Sequence, residues 1–424
     1  MKSVRKGMKL AMLFWALLLG ICVQVRAEEP ASGGSSSEES ALPVCSVRFS
    51  GQGLYVYADP SLSGAPTAVL PDTARVQVVL GPMDSIAGIR VCDTGLEGYV
   101  DIRYLKRSDA IVEDYDIYTY EEMEEDIRQL QARYPELLRV DTAGTSVDGR
   151  NLYVLTMGGK NASQHILVHA GIHAREYMNP LLVMEQLEQC LEYYESGSFH
   201  GTNYRNLFSD TAVHIIPMVN PDGIALSQFG ESALRSPELV EMVRICYVYD
   251  TLAGRTDRPY DSYLAHWKAN ARGVDLNKNF PFGFGIGTSA VQPSYAGYGG
   301  LMPFSEPEAA SLGAVTLQYR PTIVISYHSM GEVAYWDTSE SPYTEINRGF
   351  SSYMLSLVPY KRMGSGGASG SYLDWLYSGE TPVRSITFET GNTACPLPAG
   401  QYPRIWLHHE SVLQAAAWYA CAGL

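Results

Sequence analysis

His165-Ile-Leu-Val-His-Ala-Gly-Ile-His173-Ala-Arg-Glu176 is the stretch that decides how the chain reads. Its first half, His165 to Ala170, is a short apolar run bounded by Asn161-Ala-Ser163 and Gly171, the pattern of a buried strand. Its second half therefore lies just past a strand end, ahead of a helix expected to start near Asn179-Pro180. Two later β-branched runs end in the same way. Pro321-Thr-Ile-Val-Ile-Ser-Tyr327 runs into His328-Ser-Met-Gly331, and Arg384-Ser-Ile-Thr-Phe388 delivers Glu389, followed by Thr390-Gly391. Ligand sites in open α/β sheets form outside the carboxyl ends of strands, so three such ends predict one shared site.

Residue types at these ends indicate the chemistry. A His and a carboxylate three apart can meet on one metal ion, and two His with one Glu is a recurring catalytic zinc set that leaves a position open for water. On this reading His173, Glu176 and His328 are the metal ligands and Zn2+ is the cofactor. Zinc acidifies water and polarises a carbonyl, and a separate carboxylate must accept the water's proton and pass it to a leaving amine. Glu389 is placed for that role. A cation facing the developing oxyanion adds electrostatic stabilisation; Lys268, in His266-Trp-Lys-Ala-Asn-Ala-Arg272, is the candidate, with Arg272 in reserve.

With these residues in place, the chain from about Tyr118 to Leu424 resembles the zinc carboxypeptidase family, the carboxypeptidase A-like peptidases. It is most similar to their bacterial branch, which includes γ-D-glutamyl-diaminopimelate murein endopeptidases. The resemblance is carried by Tyr118-Thr-Tyr-Glu-Glu-Met123, the His173–Glu176 segment, Pro217-Met-Val-Asn-Pro-Asp-Gly223, the run from Trp267 to Phe280, Ser326–Gly331, Phe388–Gly391 and Cys395-Pro-Leu-Pro398. It implies the ligand set and general base named above. It also implies that Asp275 supports the first zinc histidine, that Arg175 lines the substrate cleft, and that Asn277 and Lys278 hold a substrate's terminal carboxylate. Two departures stand out. Lys278 replaces a common Arg and lacks the planar fork that grips a carboxylate at two points. A mobile cleft Tyr of digestive members is missing from Gly364–Gly370, with Tyr372 as a possible substitute.

Outward from the peptidase region the composition changes. Met1 to Ala27, with Lys2, Arg5, Lys6 and Lys9 before an apolar run, has the form of a secretory signal. The apolar run is short for a bilayer span, so the mature chain is expected to carry no transmembrane segment. Its loss would remove five cations and no acids, taking the formal charge from −15 to −20. Such an acidic body argues against nucleic-acid binding, which needs a basic footprint. Residues 28–46 read as a flexible linker. Residues 47–107 read as a small β domain with short strands at Leu54–Tyr57, Ala74–Leu80, Ile89–Val91 and Glu97–Asp101, similar to bacterial Src-homology-3-like domains. Residues 108–116 link it to a catalytic domain over 117–424. The six cysteines left after residue 27 permit disulfides, among them Cys45–Cys92 and Cys395–Cys421, or buried free thiols.

The catalytic region should open with a helix capped by Thr119 and Glu122. Helices should follow at Leu181–Tyr194, from Glu306 and over Trp406–Tyr419. Strands alternating with helices imply an α/β fold with a mixed, mostly parallel sheet, preceded by a barrel-like β domain. The expected function is that of a secreted or cell-wall-associated zinc metallopeptidase acting on peptidoglycan stem peptides at γ-D-glutamyl–diamino acid bonds. The β domain would bind the wall and be dispensable for hydrolysis of a small peptide. A carboxypeptidase trimming ordinary peptides is the alternative within the class; a non-catalytic wall-binding protein on a peptidase scaffold is the alternative outside it.

Overall fold

The computed structural model describes residues 42–338, 343–365, 369–379 and 383–423. The expected signal, most of the 28–46 linker and part of the Gly364–Gly370 stretch lie outside the described residues. Seven short strands open the chain: β1 (Val44–Val47), β2 (Leu54–Val56), β3 (Ala68–Leu70), β4 (Arg75–Met83), β5 (Ile86–Val91), β6 (Glu97–Asp101) and β7 (Leu105–Arg107). The peptidase region adds β8 (Leu138–Thr145), β9 (Asn151–Gly158), β10 (Gln164–His169), the two-residue strands β11 (Ser198–Phe199) and β12 (Thr202–Asn203), β13 (Thr211–Ile216), β14 (Ile323–His328), β15 (Val333–Thr338), β16 (Lys361–Ser365) and β17 (Arg384–Glu389).

The central sheet has the order β16-β15-β17-β14-β10-β13-β9-β8. Its middle is parallel: β10 pairs with β13 and β14, and β14 with β17. Antiparallel pairs at β8–β9, β9–β13 and β15–β17 make the whole mixed. Helices cover both faces, which is why the central strands are buried in continuous runs rather than on alternate residues. Ile166 and Val168 of β10 pack in one cluster with Leu182 and Leu187 of a covering helix and with Leu413. Leu167, between them, faces Leu312, Val315 and Tyr372 on the other side. Burying each such side chain contributes about 1.5–3 kcal/mol.

Two helices matter most for the site. α1 (Tyr120–Arg133) starts on the expected capping box, with Thr119 accepting from Glu122 N and the Glu122 carboxylate accepting from Thr119 N. α2 (Met178–Glu192) begins just after Glu176 and is buried along nearly its whole length. At the C-terminus, the expected single helix is two, Tyr402–His409 and Val412–Ala422, meeting at Glu410-Ser411. No helix among the described residues is long and apolar enough to cross a membrane.

The N-terminal strands differ from the expected picture of a module on a tether. β1 starts at Val44, inside the residues read as linker, and Cys45 there is fully buried. Ser198 of β11 pairs with Met83 of β4, so a hairpin of the peptidase region extends the N-terminal sheet. One hydrophobic cluster runs from Val47 and Val100 to Leu181 and Trp406. Residues 108–116 are also docked, because Ile111 N and Val112 N donate to the Glu188 carboxylate at 2.6 and 2.9 Å. Buried acids of α2 meet cations from the strands: Glu185 meets Arg48 and Lys106, and Glu192 lies 3.4 Å from Arg107. The proposed disulfides are absent; all six described cysteines are free, and the Cys45 sulfur faces the Tyr193 hydroxyl at 4.0 Å.

Candidate active site

Three strand ends do converge. β14 and β17 pair in register so that His328 sits opposite Glu389, and β10 lies on the other side of β14. Past β10 the chain turns at Gly171, whose φ of +65° and crowding (a Cβ would meet Ile224 at 2.9 Å) both call for glycine. The loop that follows is tied down from two sides. Ala174 N donates to Lys268 O at 3.1 Å, and Asn220 Nδ2 donates to Ala269 O at 3.0 Å and to Ile172 O at 3.3 Å. Asn220 Oδ1 meanwhile caps the helix Pro221–Phe229 by accepting from Gly223 N.

Held this way, His173 Nδ1 lies 2.8 Å from Glu176 Oε1, and His328 Nδ1 lies 3.0 Å from both His173 Nδ1 and Glu176 Oε2. All three residues are buried, and their donor atoms fall within 4.8 Å of one another. Four ligands around zinc at bonds of 2.0–2.1 Å would stand roughly 3.3 Å apart, so these three atoms suit one such ion. Against the cost of burial, the two imidazoles hold the Glu176 carboxyl well below the usual carboxylate range. The other ring nitrogen of His173, Nε2, lies 3.4 Å from Asp275 Oδ1. A carboxylate there orients the ring and fixes its tautomer.

Asp275 has a second partner, the Lys268 ammonium at 3.2 Å. Burial opposes both charges, yet each sustains the other: Lys268 keeps the Asp275 carboxyl far down, and Asp275 and Glu176 keep the Lys268 amine raised. Lys268 and Glu389 line the same cleft of about 500 Å³ as His173 and Glu176. Burial pushes the Glu389 carboxyl up to about 7, with Glu176 adding to the rise and His328, Lys268 and Arg175 opposing it. Arg175 also lines this cleft, its backbone oxygen facing the Cys395 thiol at 3.5 Å.

The other expected substrate residues each have partners within the protein. Arg272 turns to Glu306 at 3.6 Å and is not on the cleft wall. Asn277 Oδ1 accepts from Tyr372 N at 2.9 Å, and Lys278 Nζ donates to Ser369 O at 3.4 Å while standing near enough to feel the charges of Asp275 and Lys268. Tyr372 does not replace a mobile cleft tyrosine. It is buried, and its hydroxyl pairs with Thr316 Oγ1 at 2.7 Å.

Two residues outside the sequence argument also shape the site. Asn179, fully buried, donates to Ser329 Oγ at 3.1 Å and accepts from Thr390 Oγ1 at 2.7 Å, joining the loops after His328 and Glu389. Arg258 contributes a further cation to the cleft. Neither sits in a periodic or spaced pattern that a sequence would reveal, although Asn179 was visible as part of the Asn-Pro helix start.

Comparison with known proteins agrees with this architecture. The chain is 27% identical over 334 residues to the uncharacterized protein YqgT of Bacillus subtilis, covering 76% of this chain and 83% of that one. It is 28% identical over 295 residues to the gamma-D-glutamyl-L-diamino acid endopeptidase 1 of Lysinibacillus sphaericus, covering 68% and 69%. The carboxypeptidase A of Helicoverpa armigera superposes with a TM-score of 0.56 at 16% identity, covering 90% of this chain and 97% of that one. Thrombin-activatable fibrinolysis inhibitor does so with a TM-score of 0.56 at 22% identity, covering 75% and 79%. A sequence model described as zinc carboxypeptidase matches residues 123–410, from the first helix to the end of the helix Tyr402–His409, and on that match the chain belongs to the zinc carboxypeptidase family, as a zinc-dependent metallopeptidase.

Proposed function

We propose that this metallopeptidase is exported and cuts cell-wall peptides at γ-D-glutamyl–diamino acid bonds. The observation that carries the reading is the cleft itself: a two-His, one-Glu donor set beside a free-standing carboxylate, under a wall of cations. The likeness to the gamma-D-glutamyl-L-diamino acid endopeptidase of Lysinibacillus sphaericus supports the bond assignment. Export rests on the Met1–Ala27 pattern alone.

In this mechanism His173 Nδ1, Glu176 and His328 Nδ1 would hold the zinc, which when bound would acidify water and polarise the scissile carbonyl. Glu389 removes the proton from the attacking water and returns it to the leaving amine. Lys268, kept charged by Asp275, faces the negative charge that develops on the carbonyl oxygen. Asp275 thus serves two partners, steadying the His173 ring and the Lys268 ammonium. Residues 47–107 would hold wall peptide through a groove of about 380 Å³ lined by Tyr55, Tyr57 and Tyr104.

The test is digestion of defined muropeptides by the zinc-loaded chain, with products weighed by mass spectrometry. Scission between D-glutamate and the diamino acid is expected, and a chelator should abolish it. Removal of single C-terminal residues from ordinary peptides, with muropeptides intact, would reject the bond assignment.

A further inference from the structure

The cleft holds two guanidinium groups, Arg175 and Arg258, for which no described residue supplies a carboxylate within 4.0 Å. Acids outnumber cations 46 to 31 in this chain, and several arginines, among them Arg48, Arg150 and Arg255, do pair with carboxylates. Lys268, the third cation of the wall, already has Asp275. Arg258 in particular sits on a backbone built to hold still. Its N–H donates to Thr256 Oγ1 at 3.2 Å, its carbonyl accepts from the Tyr247 hydroxyl at 3.2 Å, and Pro259 follows it as the cap of the helix Tyr260–Ala265. The loop beneath is pinned by Arg255, which donates to Asp250 at 3.0 Å and to Ala296 O at 2.7 Å. A half-buried cation without an acid, on a fixed loop and beside a reaction centre, is arranged for an anion that arrives with the substrate.

The chemistry of a γ-glutamyl bond supplies that anion, and here the inference rests on the bond assignment above. When glutamate is linked through its side-chain carbonyl, its α-carboxylate stays free, three carbons from the bond to be cut. Amidation of that carboxylate replaces its charge with a neutral group of nearly the same shape. We propose that Arg258, with Arg175 lining the same cleft, binds this α-carboxylate and so makes the enzyme selective for γ-linked glutamate whose α-carboxylate is free over the amidated form. The planar fork of a guanidinium accepts a carboxylate at two points, a geometry that a lysine does not reproduce. A site committed to such a group discriminates strongly against substrates that lack it, because its own charge is then left without a partner.

Two peptides differing at one atom group test this: one with D-glutamate γ-linked to the diamino acid, and the same peptide with the α-carboxylate amidated. With the zinc-loaded full chain, kcat/KM should be about 10- to 100-fold higher for the free acid. Arg258→Gln should remove most of that preference by lowering turnover of the acid alone, with zinc content and melting temperature unchanged. Arg258→Lys should recover only part of it. Equal turnover of the two peptides by the unsubstituted enzyme would overturn the proposal without needing any variant. A variant that slows both peptides equally, or neither, would overturn it as well. If neither peptide is cut, the bond assignment falls and this inference with it, which separates the two failures.

Discussion

Replacing Arg48 should show how far the N-terminal strands are part of the enzyme. Its guanidinium is 8% exposed, pairs with Asp114 at 2.6 Å and with Glu185, and lies over the Trp406 ring at 5.0 Å. Glu185, on α2, is equally buried, and its remaining help comes from the Tyr402 hydroxyl and from Lys106 at 3.7 Å. Removing one partner of a buried ion pair costs about 3–5 kcal/mol, because the other charge is left in a poorly solvating place. Lys106 and Tyr402 relieve part of this, so Arg48→Met should cost about 3 kcal/mol. The double variant Arg48→Met, Glu185→Gln removes both charges and should regain roughly 2 kcal/mol of that loss. Urea unfolding followed by tryptophan fluorescence measures both, since Trp406 lies within the contact. One transition for the whole chain is expected, and deletion of residues 1–115 should give an unfolded or aggregated protein. A loss under about 1 kcal/mol for Arg48→Met, or simple additivity in the double variant, would refute the argument. A folded, active deletion variant would restore the separable module that composition alone suggests.

Four further outcomes are open to direct measurement. Glu389→Gln should keep its zinc while losing about 10²- to 10⁴-fold in kcat, and near-normal turnover would remove Glu389 from its role. Asp275→Ala should weaken zinc binding about 10- to 100-fold in a chelator competition, and an unchanged affinity would make the 3.4 Å contact with His173 idle. Burial, reinforced by Asp101, raises the Glu410 carboxyl to about 7, so the folded state holds a proton that the unfolded state has released. Stability from this group is therefore full below the ordinary glutamate pKa and lost as pH rises to about 7; Glu410→Gln should gain up to about 3 kcal/mol at pH 8 and almost nothing at pH 4, and parallel stability curves would contradict this. Finally, the six described cysteines should all titrate with a thiol reagent in the denatured, unreduced chain, and a shortfall would reveal a disulfide.

The site was legible where one short stretch carries both the backbone signal and the chemistry. β10, β14 and β17 each hold a run of buried, largely apolar or β-branched residues because helices cover both faces of the sheet, and such runs stand out in a sequence. Each also ends on, or just before, a residue whose chemistry is specific, so the strand and the site were read together. The Thr119–Glu122 capping box was equally local. What escaped is long-range. β1, β3 and β7 are three or four residues long and show no period above chance. The acids of α2 look like an ordinary solvated face until Arg48, Lys106 and Arg107 arrive from far earlier in the chain. Asn277 and Lys278 stand in a strong motif, but where their side chains point depends on Tyr372 and Ser369, on the far side of the sheet sequence.

That division has a physical consequence for how the enzyme chooses substrates. The groups that hold zinc and move the proton must keep their mutual positions to within about 0.5 Å, so they are set on strand ends and the loops tied to them. Groups that read the substrate need only reach it, and they can come from any loop over the cleft. Arg258 is such a group: it precedes a short helix, belongs to no spaced pattern, and is fixed by Thr256 and Tyr247 rather than by the sheet. A relative could keep every ligand and lose that arginine without harm to its zinc centre. Activity would then persist while preference for a carboxylate beside the cut bond disappeared, and this is why the amidated peptide, rather than metal content, is the measurement that separates specificity from catalysis in this chain.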